Sequence, residues 1–479
     1  MNGAYQERIR ETLADTRLQS AIYAASGRLV DQRKQVVTAE ALPDYQELRT
    51  QAYRIKQHTL ENLDYYLEQF ESNLAAHGGQ VVYAQDGGEV VDFLAKLAGQ
   101  KQARLLVKSK SMTTEEIDLN DRLERHNLEV VETDLGEYIV QLAGERPYHI
   151  VAPALHKTRY QVADLFSQRL GVAYETAPEK QTKIARAVLR QKFLAADIGL
   201  TGANFLVADS GAVVVVENEG NARLTTTAPL IHVAVAGIEK LIPRAQDLAV
   251  FLKLLGRSAT GQPLTVYTSF LSGPRRAQEI DGPQEFYVVL LDNGRSRLLA
   301  DRNKRQSLYC IRCGACLNHC PVYRKIGGYN YPWVYSGPIG AILTPQYLGV
   351  SRDPWLPFAS SLCGACAEVC PVKIDIPAVL LELRSEVKKA QAREGRDRLE
   401  RLGFRVWAWV MRHPRIYEML GLVGAAVMPE GEAGGWLRGV PALLNRGPLR
   451  AWFSQRDLPR LPARSFRQAW RTRARVAQD

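Results

Sequence analysis

The sequence predicts an α/β domain built round a largely parallel sheet, followed by an all-helical domain that holds bound metal. Three observations carry this reading. From about residue 80 to 296, short apolar runs alternate with amphipathic helical stretches. All seven cysteines fall between Cys310 and Cys370. The charge divides near the same place: residues 1–300 hold 34 Lys+Arg against 37 Asp+Glu, and residues 301–479 hold 28 against 14. At 479 residues, 46% apolar and 24% charged, the chain has the composition of a folded protein of about three domains. Glycine and proline show no period, which excludes a collagen-like or low-complexity chain. An odd, local set of cysteines in a long chain excludes a secreted disulfide scaffold and points to metal binding in a reducing compartment.

The N-terminal region, residues 1–77, reads as helical. Asp44 and Glu47 after Pro43 fit a capping box, Leu60, Leu63, Leu67, Phe70 and Leu74 recur at helical spacing, and Gly78-Gly79 ends the run. Residues 78–296 form the α/β domain. Its strands are expected at 81–84, 104–107, 128–132, 149–152, 204–208, 212–217, 231–236, 265–270 and 286–291, and its helices near 88–98, 113–125, 157–169, 181–196 and 243–255. The strand at 212–216 is apolar throughout, as in a sheet covered on both faces. Residues 297–395 turn helical and hold every cysteine. Residues 396–479 are basic, with Arg interleaved by Trp436, Trp452, Phe453, Phe466 and Trp470. The charged opening lacks the apolar core of a signal peptide, and the longest late apolar run, Met419 to Met428, is about half a bilayer span. The expectation is a cytoplasmic protein, with peripheral contact at the inner membrane face left open.

The first cysteine motif is Cys310-x2-Cys313-x2-Cys316-x3-Cys320-Pro321, and the second is Cys363-x2-Cys366-x3-Cys370-Pro371. Zinc ribbons pair one CxxC with another and have no use for the longer run, and a redox CxxC needs no matched second copy. The spacing is that of bacterial-type ferredoxins, in which three closely spaced cysteines hold one iron–sulfur cluster and the fourth reaches across to the other. Applied here, Cys310, Cys313, Cys316 and Cys370 hold a complete 4Fe-4S cluster. Cys320, Cys363 and Cys366 hold a second that lacks one cysteine, and Ser360 stands where that cysteine would be. The second cluster is therefore a 4Fe-4S cubane with a non-cysteine fourth ligand, or a 3Fe-4S cluster. The basic half then offsets thiolate-bound cluster charge, faces an acidic partner, or does both.

The helical setting and the long gap between motifs resemble the α-helical ferredoxin domains in the iron–sulfur subunits of succinate dehydrogenase, glycerol-3-phosphate dehydrogenase and heterodisulfide reductase. The segments VKSKSMTTEEIDLN (107–120), VVETDLGEYIVQLAGERPYHIVAPALHKTR (130–159) and ADSGAVVVVENEGNARLTTTAPLIHVAVAGIEKLIP (208–243) resemble the LUD, or lactate-utilisation, domain. That domain is related in fold to CoA-transferase and 5-formyltetrahydrofolate cyclo-ligase proteins. A LUD domain, a helical ferredoxin and a basic extension in this order resemble the lactate utilization protein B family. The resemblance implies an electron-carrying iron–sulfur component in oxidation of L-lactate to pyruvate. It also implies two sibling subunits, a cysteine-rich iron–sulfur protein A and a smaller LUD protein C. It brings no catalytic residues. Two other readings are a helical-ferredoxin subunit for another 2-hydroxy acid such as glycolate, and a non-redox small-acid binding protein with structural clusters.

Other segments carry weaker signals. Lys108, Ser109, Lys110 and Ser111, before Thr113 and Thr114, read as a solvated strand-to-helix loop, with a carboxylate or phosphate site as the alternative. Glu217, Asn218, Glu219, Gly220, Asn221 and Arg223 read as a polar turn that faces a cleft or merely closes a hairpin. His232 reads as a core histidine and His319 as a donor beside the cluster. No G-x-G-x-x-G or P-loop occurs, so nucleotide binding lacks its usual signature. The Arg-rich tail fits sibling subunits or an anionic membrane better than nucleic acid.

Overall fold

The computed structural model describes residues 3–395, 398–427, 436–437, 450, 456–459 and 465–476. The chain divides into two compact units, Met1–Ala390 and Gln391–Asp479.

Ten strands lie in the first unit: β1 Gln80–Ala84, β2 Leu105–Lys108, β3 Glu129–Glu132, β4 Ile198–Thr201, β5 Phe205–Val207, β6 Ala212–Glu217, β7 Ile231–Gly237, β8 Leu241–Ile242, β9 Tyr267–Leu271 and β10 Glu285–Leu291. They make two sheets rather than the single one expected. The six-stranded sheet runs β1-β10-β7-β4-β2-β3 and every pairing in it is parallel. The second, β8-β5-β6-β9, is mixed, with β6 antiparallel to both neighbours. Helices cover the parallel sheet, so β7 is buried along its whole length, as apolar strands in such sheets are. Inside β7, His232 lies flat on Phe286, with ring centroids 4.9 Å apart, and its Nε2 meets Thr201 Oγ1 at 3.0 Å. Burial alone pushes its pKa down to about 3, which keeps it neutral in the core.

Several local expectations need correction. Residues 149–152 form bends rather than a strand, because His149 Nδ1 takes up the Val151 and Ala152 N–H groups that a ladder would have used. The helix near 113–125 is two short ones, Met112–Glu115 and Leu119–Glu124, broken where Asp118 turns left-handed (φ 48°). Strand β4 is an addition, since Ile-Gly-Leu-Thr is too short for periodicity to mark. Its Gly199 has a packing reason: a Cβ there would lie 1.9 Å from the Thr225 carbonyl oxygen. Asp44 sits at the N-cap of helix Tyr45–Glu61 but its side chain makes no capping hydrogen bond, so the capping box does not form.

From residue 295 to 393 the described elements are helices and 3-10 turns, among them Ala315–His319, Gly337–Leu348, Ala365–Val369 and Ile376–Arg393. This segment is joined to the sheet by buried charge. Arg295, with 0% of its surface exposed, donates from Nη2 to Glu116 Oε1 at 2.7 Å and from Nε to Glu239 Oε2. Arg312, inside the first cysteine motif, reaches Glu239 Oε1 at 3.5 Å, and the Tyr335 hydroxyl donates to Glu116. Gly237 makes room for the network, because a Cβ there would sit 2.0 Å from Glu239 Oε2. The same segment packs on Tyr148, whose ring would clash with any side chain at Gly327.

The second unit contains helices Arg398–Arg412, Pro414–Val427 and Phe466–Val476, and a short antiparallel pairing of Trp436–Leu437 with Leu458–Pro459. Its first helix exposes Phe404, Trp407, Trp409 and Met411, and Arg471 pairs with Glu418 at 2.9 Å. Trp452 and Phe453 lie outside the described residues. Among the described residues no helix is long and apolar enough to cross a membrane.

Removing one member of a buried ion pair strands the other charges in low dielectric, at a cost of about 3–5 kcal/mol. Arg295→Met should therefore lower the thermal denaturation midpoint sharply and loosen the cysteine segment to limited proteolysis. A wild-type midpoint would show that the network does not join the two parts.

Candidate functional site

The two cysteine motifs fold alike. Residues 310–320 and 360–370 each run through a left-handed residue (Arg312, φ 61°; Leu362, φ 54°), a cysteine and a left-handed glycine (Gly314, φ 74°; Gly364, φ 83°). A short helix follows in each, Ala315–His319 or Ala365–Val369, and ends on an extended cysteine, Cys320 or Cys370. Such alternation curls the backbone so that successive N–H groups point to one side, toward negative charge. Arg312 N–H donates to Cys310 Sγ at 3.4 Å, and at the matching place Leu362 N–H donates to Ser360 Oγ at 3.2 Å. Ser360 thus occupies the counterpart of Cys310 in both position and hydrogen bonding. The last cysteines each accept a backbone N–H as well, Cys320 Sγ from Tyr323 three residues on and Cys370 Sγ from Ile374 four residues on, both at 3.4 Å.

The motifs are interleaved in space. Cys310, Cys313, Cys316 and Cys370 line one small cavity, walled by Ile150, Ile339, Val372, Ile374 and Ile376. Cys320 instead lies within electrostatic reach of Cys363 and Cys366. Burial pushes the Cys313 and Cys366 thiols up to about 12 and Cys370 to about 11. Thiols held that high give up their protons only in exchange for a metal. The exposed Cys363 is lowered, chiefly by the Ala365 N–H. Among the described residues no three His, Cys, Asp or Glu side chains converge on one ion-sized point. Four cysteines around an apolar cavity, with amide N–H groups turned to them, fit an iron–sulfur cubane at the first position.

The N-terminal helices and the α/β part both hold the chain around this cavity. Arg49 of the N-terminal helices donates from Nε to the Cys370 carbonyl at 2.9 Å and from Nη2 to the Ala367 carbonyl at 3.2 Å, and Arg33 reaches the Val369 carbonyl at 3.3 Å. These helices therefore cap the second motif with positive charge, a role their sequence does not announce. From the α/β side, His149 Nε2 donates to Asn318 Oδ1 at 3.1 Å. The tautomer follows from its other nitrogen, which accepts two backbone N–H groups. Burial, with Lys110 adding to it, pushes the His149 pKa down to about 4. His319 Nδ1 donates to the Ala315 carbonyl at 2.9 Å, its own helix, rather than to a sulfur.

A second cavity, of about 370 Å³, opens at the carboxyl ends of β2, β4 and β7, where parallel sheets place their ligands. Ser109, Lys110, Ser111 and Thr113 line it, so the strand-to-helix loop is no solvated connection. Lys108 itself is buried and ion-paired with Glu115 at 2.7 Å and Glu132 at 2.6 Å. Glu217, Asn218, Glu219 and Asn221 line it too, and the turn they form starts helix Asn221–Thr227 rather than closing a hairpin. Glu217 accepts the Ala222 and Arg223 N–H groups, each at 2.8 Å. Burial, reinforced by Asp134, raises Glu219 to about 7. Ile150 and Arg312 line this cavity and the cysteine cavity alike. Sequence reasoning does not reach His149, Arg312 or Lys240. Only the charged pair Glu239-Lys240 inside the apolar run 231–242 could flag the last.

A LUD domain model matches residues 67–291, a 4Fe-4S dicluster domain model residues 306–374, and the C-terminal model of lactate utilisation protein B residues 382–475. Lactate utilization protein B of Bacillus licheniformis is 44% identical over 97% of this chain and 96% of its own length. The chain belongs to the lactate utilization protein B family. The namesake protein of Bacillus velezensis is 42% identical over 98% of this chain and 97% of its own, and that of Bacillus thuringiensis 43% over 97% and 96%. As a member of the family, the chain carries a LUD domain and an iron–sulfur-binding 4Fe-4S dicluster domain, which takes in all seven cysteines.

The two left-handed glycines make unequal demands. A Cβ at Gly314 would meet Val151 at 3.1 Å and His149 at 3.2 Å, whereas nothing lies within 4 Å of one at Gly364. Gly364→Ala should cost only backbone strain, about 1–2 kcal/mol. Gly314→Ala should cost more and release more iron on mild heating. Equal effects would mean that the first motif is not held against the α/β domain.

Proposed function

We propose that this protein is an electron-carrying iron–sulfur component in the oxidation of L-lactate to pyruvate, a role that lets lactate serve as carbon and energy source. The observation that carries the reading is the interleaving of the two motifs. Cys316 and Cys320 lie about one helical turn apart, as do Cys366 and Cys370, so each short helix serves both cluster positions. Clusters bound there exchange single electrons at short range.

The ligands we assign are Cys310, Cys313, Cys316 and Cys370 for a 4Fe-4S cluster. For the second we assign Cys320, Cys363 and Cys366, with Ser360 at the fourth corner of a cubane or beside a 3Fe-4S cluster. The hydrogen bond from Leu362 to Ser360 supports this placement. Arg33, Arg49 and Arg312 supply positive charge around the first position, which favours an anionic cluster in a buried site. The exposed Cys363 puts the second position nearer the surface, where electrons would leave for a partner. We divide the chain functionally into the N-terminal helices (1–77), the LUD domain (78–296), a helical ferredoxin (297–395) and a basic docking region (396–479). The partners expected are the sibling subunits A and C, in the cytoplasm or peripherally at the membrane.

Deletion of the gene should abolish growth on L-lactate as sole carbon source, and growth should return with the wild-type gene. Unimpaired growth of the deletion strain would refute the role. At the second position, Ser360→Cys should raise iron content by about one atom per chain if the native cluster has three irons, and should abolish its oxidised-state EPR signal. If the native cluster is a cubane, the substitution should shift its reduced-state spectrum. A spectrum identical to wild type in both oxidation states would remove Ser360 from the site.

A further inference from the structure

We infer that the cavity at the carboxyl ends of β2, β4 and β7 is a binding site for a small monocarboxylate, with the Lys240 ammonium as its anion-binding group and Arg312 adding positive charge behind it. The inference deepens the reading just given and rests on it for the choice of acid.

Lys240 is the decisive residue. It follows β7 in the 3-10 turn Ile238–Lys240, only 8% of its surface is exposed, and it lines the cavity. Its neighbours in the ion network are committed elsewhere: Glu239 is held by Arg295 and Arg312. The other buried lysines of this region have partners: Lys108 has two carboxylates, and Lys56 donates to the Glu239 and Leu241 carbonyls. Among the described residues the Lys240 side chain has neither a hydrogen bond nor a salt bridge, and Glu239 and Cys310 act on it only from beyond contact. A buried ammonium facing an open cavity without a counter-ion in contact is costly to the fold and is compensated when an anion binds.

The geometry also selects the anion. Arg312 lines the same cavity and adds positive charge beside Lys240, although its Nη2 is already held by Glu239 and Tyr335. Three carboxylates, Asp134, Glu217 and Glu219, line the same cavity and disfavour a dianion such as phosphate. Asn221, whose Nδ2 donates to Thr133 Oγ1, keeps its amide oxygen for a hydroxyl beside the carboxylate, and Asn204, whose Oδ1 accepts the Val216 N–H, keeps its amide N–H groups for a hydroxyl or oxo group. A 2-hydroxy or 2-oxo acid meets these requirements. Because Arg312 and Ile150 wall both cavities, the bound acid lies next to the cysteine cavity.

The test is equilibrium dialysis of the anaerobic, cluster-loaded protein with radiolabelled L-lactate, pyruvate and inorganic phosphate in turn. Wild type should bind at least one of the two acids saturably at one site, and neither should be displaced by an equal concentration of phosphate. Lys240→Met, checked for a full complement of iron, should weaken that binding roughly 30-fold or more, and Lys240→Arg should retain part of it. Failure of wild type to bind either acid, or a Lys240→Met protein that binds as wild type does while only its cluster potential shifts, would overturn the site. The two readings fail separately. A wild-type gene that restores growth on lactate while its product binds no acid sinks only the site. A protein that binds acid through Lys240, in a strain that grows on lactate without it, sinks only the electron-transfer role.

Discussion

The arrangement depends on four buried charges. Glu116, Arg295, Glu239 and Arg312 form a continuous chain from the helices over the parallel sheet, through the end of β7, into the loop between Cys310 and Cys313. Ion pairs this deep add little net stability, because desolvation offsets most of their attraction. What they supply is register. A guanidinium and a carboxylate pair well in few orientations, so the cysteine loop has one way to sit on the sheet. Arg312 is left-handed like its counterpart Leu362, a conformation that belongs to the motif and aims its N–H at Cys310 Sγ.

From that anchor the rest of the site follows. With the first motif fixed, Asn318 meets His149, Gly314 closes on Val151, and the aromatic segment 323–335 folds over Tyr148. The second motif is fixed from the opposite side by Arg33 and Arg49 of the N-terminal helices. The cysteine cavity is thus enclosed by three stretches of chain far apart in sequence, and each brings positive charge or N–H groups to it. Concentrating cations around an anionic group in low dielectric is also a means of setting its reduction potential. The positive balance of residues 301–479 accounts for part of this, but Arg33 and Arg49 come from the near-neutral part of the chain.

How much of this is legible in the sequence differs by feature. Apolar runs such as Ala212–Glu217 stand out because burial leaves an almost unbroken hydrophobic signature, and β6 and β7 lie within a residue of where their runs predict. The cysteine spacing is legible because ligand geometry is local. The fifty-residue offset between Cys310 and Ser360 can be counted from the sequence, and the backbone then repeats it. Separation of the strands into two sheets is not legible, since pairing partners are set by long-range packing that no local pattern encodes. The bend at 149–152 reads wrongly because Ile-Val-Ala looks like a strand, and only His149's capture of two N–H groups prevents one. Lys240 and Arg312 escape sequence reading for a similar reason: a charged residue becomes a site only when its burial and its contacts are known.

The proposed role requires electrons from lactate to pass through the two cluster positions of this chain. It is tested most directly by EPR of the protein, purified with its sibling subunits, frozen at intervals after L-lactate is added without oxygen. Reduced-cluster signals from this chain should appear as pyruvate forms, and Cys370→Ala should change the signal of the position built from Cys310, Cys313 and Cys316. Pyruvate formation with both clusters of this chain remaining oxidised throughout would contradict it.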